Sequence, residues 1–274
     1  MNRNPEPQFE RVTAKDLRLA MHHGELSVLY QPQYDLSSER VISAEALLRW
    51  RHPELGLIEP AEFIALAERS RLINEFGRFV LHQACSDLRA WHEAGMEHWR
   101  VAVNVSPIQL MARELYDHVC EALTAGRLNA EKLTLEITEA AAVQTMEASG
   151  RILFCLMGLS VRLSLDDFGT GFSNLGRPRS MPVHELKIAG ELVRELETNG
   201  TERRVFAAVI GMADALGLHV VVEGIEREAQ LAQARALGCD VSQGYLHGRP
   251  MEPGRFLKRF GTSSPAMLRE VEHG

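Results

Sequence analysis

Residues 28–50, VLYQPQYDLSSERVISAEALLRW, contain two strand-like runs that are separated by a very short polar loop. The runs cover residues 28–34 and 41–50, and the loop between them holds the sequence DLSS. Parallel strands need a crossover of a dozen or more residues, whereas a loop of this size can join antiparallel neighbours. The stretch therefore predicts that the first two strands are antiparallel.

Further strand-like runs alternate with longer amphipathic stretches along the rest of the chain. The other strand candidates are residues 101–106, 133–138, 161–166, 185–188, 219–223 and 241–246. The clearest helix-like stretches are residues 63–66, 76–91, 201–216 and 226–237. Eight strands with intervening helices predict the α/β class and a modified (β/α)8 barrel of the TIM type, in which one strand near the N-terminus is antiparallel.

Three segments are expected along the chain: a partly helical N-terminal segment at residues 1–19, the barrel at 20–261 and a tail at 262–274. Near the first boundary, Thr13 can cap a helix, and Asp16 follows it three residues later. No internal repeat or second domain is visible, so the sequence predicts a single barrel.

The bulk composition is that of an ordinary globular protein, with 45% hydrophobic and 24% charged residues among 274. The 30 basic and 37 acidic side chains give a net charge of -7. Domains that bind long nucleic acids usually carry a basic field, so we expect no DNA or RNA partner. A small phosphate ligand is compatible with the negative charge if metal ions supply positive charge.

The four cysteines, Cys85, Cys120, Cys155 and Cys239, lie far apart and form no CxxC pair. This spacing predicts buried free thiols in a reducing compartment. No signal peptide is visible, and no apolar stretch approaches the roughly 20 residues of a membrane helix. We therefore expect a soluble cytoplasmic protein without a membrane span.

Six strand candidates each place one polar residue near the C-terminal end, on the face opposite their outer apolar row. These residues are Glu45, Asn104, Glu136, Asp166, Lys187 and Glu223. A single carboxylate at a strand end is usually a solvated turn residue. Six polar residues with the same alternation on six strands predict a site at the mouth of the barrel, where barrel enzymes have their active sites.

The predicted site carries far more negative than positive charge, because Asp167 adds a fifth carboxylate against the single cation of Lys187. Buried charges must be paired or bind a cation, so a divalent metal is expected. Oxygen ligands favour Mg²⁺ or Mn²⁺ over zinc. The adjacent carboxylates of Asp166 and Asp167 suit two ions about 3.5–4 Å apart.

The loop after Asp167 is rich in glycine, and Gly169 and Gly171 flank Thr170. Glycines permit tight turns and positive φ, so this segment predicts a mobile loop that brings Asp167 into the mouth. An ordinary turn between a strand and a helix is the alternative. Glu139, three residues after Glu136, is expected just past its strand, where it would brace the loop.

The same residues occur in ordered blocks that resemble the EAL domain family, whose name matches Glu45-Ala46-Leu47. The other blocks are YQP at 30–32, NVS at 104–106, EITE at 136–139, DDFGTG at 166–171, LKI at 186–188, EGIE at 223–226 and QGY at 243–245. The resemblance covers about residues 20–260. Three letters alone would carry no weight, but the ordered set is highly specific.

The resemblance implies hydrolysis of cyclic-di-GMP to linear pGpG with two divalent cations, and we expect Mg²⁺ or Mn²⁺ to support the reaction and Ca²⁺ to inhibit it. It assigns Glu45, Asn104, Glu136 and Asp166 to one metal, and Asp166 with Asp167 to the second, with Glu223 close by. A water between the metals would attack phosphorus in line. Lys187 would steady this water and the developing charge. Glu223 is the family's candidate proton acceptor, unless the metals alone activate the water.

Three further residues are candidates for substrate contact. Arg49 shares the alternation of Glu45 and can reach a phosphate oxygen, with a surface ion pair as the alternative. Gln31 and Gln243 are expected at the edge of the substrate, and a polar capping role is equally open for both.

Two positions depart from the family pattern. Ala189 stands where family members commonly have an acidic residue, two positions after the lysine. Residues 176–179, GRPR, replace an aromatic-aliphatic-basic segment near the dimer helices, and Pro178 would interrupt a helical turn. A homodimer and a regulatory protein partner therefore stay open. The competing hypotheses are a degenerate EAL domain that binds cyclic-di-GMP or a protein without catalysis, and an unrelated metal-dependent barrel hydrolase.

Overall fold

Eight strands close into a barrel in the computed structural model, which describes residues 12–148, 150–169, 181–194, 196 and 200–261. The strands are β1 Leu26–Asp35, β2 Arg40–His52, β3 Gly56–Ile58, β4 Arg100–Asn104, β5 Leu133–Thr138, β6 Arg162–Phe168, β7 Glu185–Ile188, β8 His219–Val222 and β9 Val241–Gln243. Their order around the barrel is β1, β9, β8, β7, β6, β5, β4, β2 and back to β1, and β3 extends β2 outside the ring.

Helices cover the outside of the barrel between successive strands. They are α1 Ala14–His23, α2 Pro60–Arg69, α3 Ile73–Glu93, α4 Pro107–Met111, α5 Glu114–Gly126, α6 Glu139–Ala148, α7 Arg151–Gly158, α8 Gly190–Arg194, α9 Gly200–Ala215, α10 Glu228–Leu237 and α11 Pro253–Phe260. The (β/α)8 prediction is thus confirmed.

The reversed strand is β1, which is antiparallel to both of its neighbours in the ring. Leu29 pairs with Leu47 of β2, and Gln33 pairs with Gln243 of β9. The remaining neighbours in the ring are parallel. The short loop after β1 therefore joins two antiparallel strands, as the sequence predicts.

Several strand ends differ from the predicted ones. The strand predicted at residues 101–106 ends at Asn104, because Ser106 caps α4 and Pro107 occupies the first turn of that helix. The strand predicted at 241–246 ends at Gln243, where Gly244 packs directly against the backbone of Ile225. The short edge strand β3 is not among the predicted strands, since three residues carry too little periodicity to be recognised.

The N-terminal helix begins as predicted. The hydroxyl of Thr13 accepts a hydrogen bond from the Asp16 amide, and the Asp16 carboxylate accepts one from the Thr13 amide. Leu17 and Ala20 are fully buried in a small cluster around Trp50, between α1, α2 and α3. The boundaries between N-terminal segment, barrel and tail stay a prediction.

The main core lies between the barrel and its helices, and an aromatic group anchors α11 to it. Trp91 stacks on Phe256 with ring centroids 4.9 Å apart, and Tyr30 and Trp99 meet Trp91 edge-on. Such aromatic pairs add about 0.5–1.5 kcal/mol each beyond the burial of their area. The C-terminal helix therefore belongs to the barrel's hydrophobic core.

The four cysteines are free, as predicted, but they are not all buried. Cys85 and Cys239 are buried, Cys120 is half-buried and Cys155 is exposed on α7. Because α7 has an exposed face, a thiol on it meets solvent, and spacing along the chain cannot reveal this. Among the helices that the structure describes, none has the length and apolar character needed to cross a membrane.

Candidate metal centre

The six polar residues predicted from strand alternation do meet at one end of the barrel. Lys187 lies at their centre with only 1% of its side chain exposed. Its Nζ is 2.7 Å from Glu223 Oε1, 3.0 Å from Glu136 Oε2, 3.4 Å from Asp166 Oδ1 and 3.5 Å from Glu45 Oε2. The sixth residue, Asn104, donates a hydrogen bond from Nδ2 to Glu45 Oε1 at 2.6 Å.

Strand register explains this convergence. The residues at the carboxyl ends of parallel neighbours lie side by side, as Asn104 of β4 does with Glu136 of β5. On the next pair of strands, Thr138 of β5 is the register partner of Asp166 of β6. Alternation turns one residue in two inward, so successive strands present their polar side chains to the same interior.

The pKa values in the cluster reflect burial and an excess of negative charge. Burial and the neighbouring Glu45 carboxylate raise the pKa of Glu136 well above its usual value, although Lys187 opposes the shift. Burial likewise raises the pKa of Glu223 to about 7. Burial alone would lower the pKa of Lys187, but the surrounding carboxylates raise it well above its usual value. The ammonium group therefore stays charged.

Glu45 shows the opposite balance. Burial acts to raise its pKa, but the charge of Lys187 and hydrogen bonds from Gln243 and Asn104 outweigh this, so the pKa is lowered. One buried carboxylate is thus held ionised while Glu136 and Glu223 favour their protons. A cluster in this condition gains stability from any added cation.

The donor set fits a hard divalent cation. Asp166, Asp167 and Glu223 offer carboxylate oxygens that all lie within 4.8 Å of one another. Two buried carboxylate oxygens, Glu136 Oε2 and Asp166 Oδ1, accept no hydrogen bond from any described residue, although both are within ion-pair distance of Lys187. Oxygen atoms with free lone pairs at one mouth are suitable ligands for such an ion.

Asp167 reaches this group by an unusual backbone conformation. Its φ is +56°, and Gly169 follows with φ of +99°. Positive φ is uncommon for a residue with a side chain, and aspartate tolerates it better than most. Burial and the adjacent Asp166 raise the pKa of Asp167. Asp167 thus lies within β6 rather than in the glycine-rich loop predicted to carry it, and its carboxylate lies near that of Asp166.

The other predicted residues lie around this centre. Glu139 is the first residue of α6, directly after β5, as expected. The bracing of the glycine-rich loop stays a prediction, because Thr170, Gly171 and residues 176–179 lie outside the described residues. Ala189 follows β7, is buried, and its amide donates to the carbonyl of Phe168 at 3.4 Å.

The three candidates for substrate contact differ in burial. Arg49 is half-buried, and burial lowers its pKa although Glu59 and Glu45 oppose this. Gln31 is half-buried and donates to the Gly248 carbonyl at 3.4 Å. Gln243 is buried, and its Nε2 donates to Glu45 Oε2. For Gln243 the sequence leaves open a substrate contact or a polar capping role, and the structure gives its amide a partner inside the barrel.

One residue of the centre was missed. Gln33 is buried, and its Nε2 donates to Glu136 Oε1 at 3.3 Å and to Gln243 Oε1 at 3.0 Å. It lies two residues after Gln31 on β1 and therefore faces the same side. This alternation was the signal that could have identified it.

Comparison with known proteins gives a consistent result. The model of the EAL domain family matches residues 14–250. The curated relatives include two proteins of Pseudomonas aeruginosa: the bifunctional diguanylate cyclase/cyclic di-GMP phosphodiesterase MucR, 39% identical over 94% of this chain, and the cyclic di-GMP phosphodiesterase NbdA, 40% identical over 94%. A solved MucR phosphodiesterase in complex with c-di-GMP, 39% identical, superposes with a TM-score of 0.85 over 92% of this chain and 100% of the solved one.

The matched relatives are much longer than this chain. It covers 37% of MucR and 33% of NbdA, about one third of each curated protein. The likeness therefore concerns one domain of these proteins.

Proposed function

Because this chain belongs to the EAL domain family, we propose that it is a divalent-metal-dependent phosphodiesterase that opens cyclic-di-GMP to linear pGpG. The observation that carries the proposal is the buried Lys187, which four carboxylates surround within 3.5 Å. The proteins named above that share the domain are described as cyclic di-GMP phosphodiesterases, and one was solved with c-di-GMP.

Two cations, Mg²⁺ or Mn²⁺, would be held by oxygen ligands at the mouth. Glu45, Asn104, Glu136 and Asp166 would hold one of them, and Asp166 with Asp167 the other, with Glu223 beside them. When bound, the cations supply Lewis acidity that polarises the phosphate and makes water a stronger nucleophile. The oxygens of Glu136 and Asp166 that accept no hydrogen bond from any described residue support this assignment.

Lys187 would stabilise the charge that develops on the phosphoryl group. Its surroundings keep it protonated, and burial makes its charge more effective than it would be in water. The four carboxylates hold the Nζ of Lys187 in place, so this ammonium group does not need to reorganise during the reaction. It is therefore a catalytic residue rather than a metal ligand.

Glu223 is suited to accept the proton of the attacking water. Burial raises the pKa of Glu223 to about 7 in the chain without metal, and cations beside it would lower this pKa, so the carboxylate would be ionised and able to accept a proton. Its Oε1 lies 2.7 Å from Lys187 Nζ, and its carboxylate is within reach of both aspartates. The base and the electrostatic catalyst are thus adjacent.

Substrate would be held at the rim of the mouth. Arg49 has a guanidinium fork that matches phosphate oxygens, and Gln31 retains donor and acceptor capacity for a base edge. We assign Gln243 to the interior, because its amide is already engaged by Glu45 and Gln33. Glu139 and the loop of Gly169, Thr170 and Gly171 would support Asp167.

A non-catalytic sensor of cyclic-di-GMP is the second candidate. The observation that favours it is Ala189, which is buried and uncharged where family members commonly carry an acid. Loss of that charge would weaken the support of the centre without removing any proposed ligand. Binding of cyclic-di-GMP without hydrolysis would establish this alternative.

The test is hydrolysis of cyclic-di-GMP by the purified chain in Mg²⁺, Mn²⁺ or Ca²⁺, with products separated by chromatography. We expect pGpG with the first two ions and inhibition by Ca²⁺, whose longer bonds of about 2.3–2.6 Å misplace the reacting groups. Asp166→Asn should abolish turnover. Glu121→Gln, an exposed carboxylate that pairs with Arg78, is the matched control and should react normally. Equal rates in Ca²⁺ and Mg²⁺ would contradict the proposed ligand geometry.

A further inference from the structure

We propose that Gln33 is a positioning residue of the metal centre, which orients the carboxylates of Glu45 and Glu136 through a directed set of amide hydrogen bonds. The inference rests on the proposed function and extends it to Gln33, which lies outside the sequence blocks that resemble the family. The set consists of Gln33, Gln243 and Gln31 and is called the glutamine brace below.

Gln33 uses both amide hydrogens inside the barrel. Only 3% of the residue is exposed, and its Nε2 donates to Glu136 Oε1 at 3.3 Å and to Gln243 Oε1 at 3.0 Å. An amide group has two donor hydrogens, so the donor capacity of Gln33 is fully used. One oxygen of Glu136 is thereby held on Gln33, while its other oxygen faces Lys187 at 3.0 Å.

Gln243 continues the brace toward Glu45. Its Nε2 donates to Glu45 Oε2 and to Gln31 Oε1, the latter at 3.4 Å. An ionised carboxylate only accepts hydrogen bonds, so the amino group of Gln243 must face Glu45 and its carbonyl must face Gln33. The ionised Glu45 therefore fixes the orientation of the Gln243 amide, and the carbonyl of Gln243 in turn fixes that of Gln33.

The reversed strand β1 makes this arrangement possible. It lies between β9 and β2, and its register pairs Gln33 with Gln243 on one side and Gln31 with Glu45 on the other. Side chains of alternate residues on β1 point into the barrel, where they bridge neighbours that are far away in sequence. The brace thus spans the antiparallel seam that closes the barrel.

The consequence concerns preorganisation. A ligand carboxylate that is already oriented loses less entropy when it binds a cation, and removing such a supporting partner typically costs about 10–100-fold in metal affinity or activity. Without Gln33, the carbonyl of Gln243 and one oxygen of Glu136 each lose a hydrogen-bond donor, so the side chains that hold Glu45 and Glu136 are less firmly oriented. Weaker metal binding is therefore the expected defect, rather than loss of the chemical step.

The experiment uses Gln33→Met, which keeps the length of the side chain and removes its donors. Calorimetric titration of the purified chain with Mn²⁺ alone should show about tenfold weaker binding than in the wild type. Turnover should need correspondingly more Mn²⁺ to reach half its maximum, while kcat at saturating Mn²⁺ stays within about threefold. Gln83→Met is the matched control, because Gln83 donates to Asp87 on α3 at 3.0 Å, outside the centre.

Two comparisons keep the outcomes separate. If the wild type binds no Mn²⁺, the proposed function fails, whereas wild-type Mn²⁺ affinity in Gln33→Met overturns only the role of Gln33. Thermal unfolding without metal reports whether each variant is folded. If Gln33→Met does not fold, Gln33→Asn takes its place; it keeps an amide that is one carbon too short for Glu136, and it should show the same loss of Mn²⁺ affinity. Unchanged affinity in this variant would also overturn the proposal.

Discussion

Lys187 is a buried cation whose charge is balanced by several carboxylates at once. Transferring an ammonium group into a protein interior is costly unless it is paired, and here Glu223, Glu136, Asp166 and Glu45 all approach its Nζ. Without the ammonium group of Lys187, the same carboxylates repel one another. Stability without metal and catalysis with metal therefore depend on the same side chain.

Lys187→Met should destabilise the metal-free protein and make its folding depend on divalent cations. Breaking a buried ion pair by removing one partner costs about 3–5 kcal/mol, since the remaining charges lose their neutraliser. Mn²⁺ should therefore raise the melting temperature of the variant more than that of the wild type, while turnover is lost. Thermal unfolding with and without Mn²⁺ measures how far the ion raises the melting temperature of the variant and of the wild type.

The control is Lys132→Met, since Lys132 is half-buried away from the centre and donates to the Glu97 carbonyl at 2.9 Å. It should respond to Mn²⁺ as the wild type does. If Mn²⁺ raised the melting temperatures of Lys187→Met and of the wild type equally, this would show that Lys187 does not neutralise the cluster.

At the scale of elements, the segments that follow β7 and β8 touch at two glycines, Gly190 at the start of α8 and Gly224 in the loop after β8. Gly224 has φ of +71°, and a Cβ added there would lie 2.9 Å from the Cα of Gly190. One segment follows Lys187 and the other follows Glu223. The Nζ of Lys187 and the Oε1 of Glu223 are 2.7 Å apart. The close approach of two backbones therefore sets the spacing of two functional side chains.

Gly224→Ala should reduce both stability and turnover. Positive φ costs an alanine about 1–2 kcal/mol, and the clash with Gly190 adds to this because neither backbone can yield freely. Displacing Glu223 by a fraction of an ångström should lower the rate at least about tenfold. Urea unfolding and initial rates measure the two effects.

Gly217→Ala provides the comparison, because Gly217 has φ of +68° but open space around its Cβ position. Gly217→Ala should lose only the stability that positive φ costs an alanine, and it should retain turnover. If the two variants lose equal stability and both keep full activity, contact between the loops does not position Glu223.

At the scale of the whole molecule, acid should weaken the fold partly through one half-buried histidine. The ring of His247 stacks on Tyr34 at 4.5 Å, and its Nε2 is hydrogen-bonded to Ser242 Oγ at 2.8 Å. Burial lowers the pKa of His247 to about 4, below the ordinary value of 6.5. The unfolded chain therefore takes up this proton first as the pH falls, and stability is lost between about pH 6.5 and 4.

The expected contribution is about 3 kcal/mol of unfolding free energy lost between pH 7 and pH 4. His247→Gln can keep the hydrogen bond to Ser242 and carries no charge at any pH, so its stability should fall less steeply over this range. Denaturant unfolding at several pH values measures the difference from the wild type. His22→Gln, an exposed histidine of α1, should leave the wild-type profile unchanged; parallel profiles for His247→Gln and wild type would contradict the assignment.

Local patterns in the sequence determined most of the architecture and the inner members of the centre. The short DLSS loop predicted the antiparallel pair of β1 and β2, and the helix cap at Thr13 lies where the sequence predicts it. Alternation within each strand identified six of the polar residues that meet at the barrel mouth. These features depend on neighbours a few residues apart, which is why a sequence can reveal them.

Only the tertiary structure decided how those residues are oriented and what supports them. Gln33 contacts Glu136, 103 residues away, and Gln243, 210 residues away. Alternation tells which face of a strand a side chain occupies, but the depth at which residues of different strands meet depends on how the barrel closes. The exposure of Cys155 and the approach of Gly190 to Gly224 were likewise not predicted, because both depend on the packing of elements that have no local signal for each other.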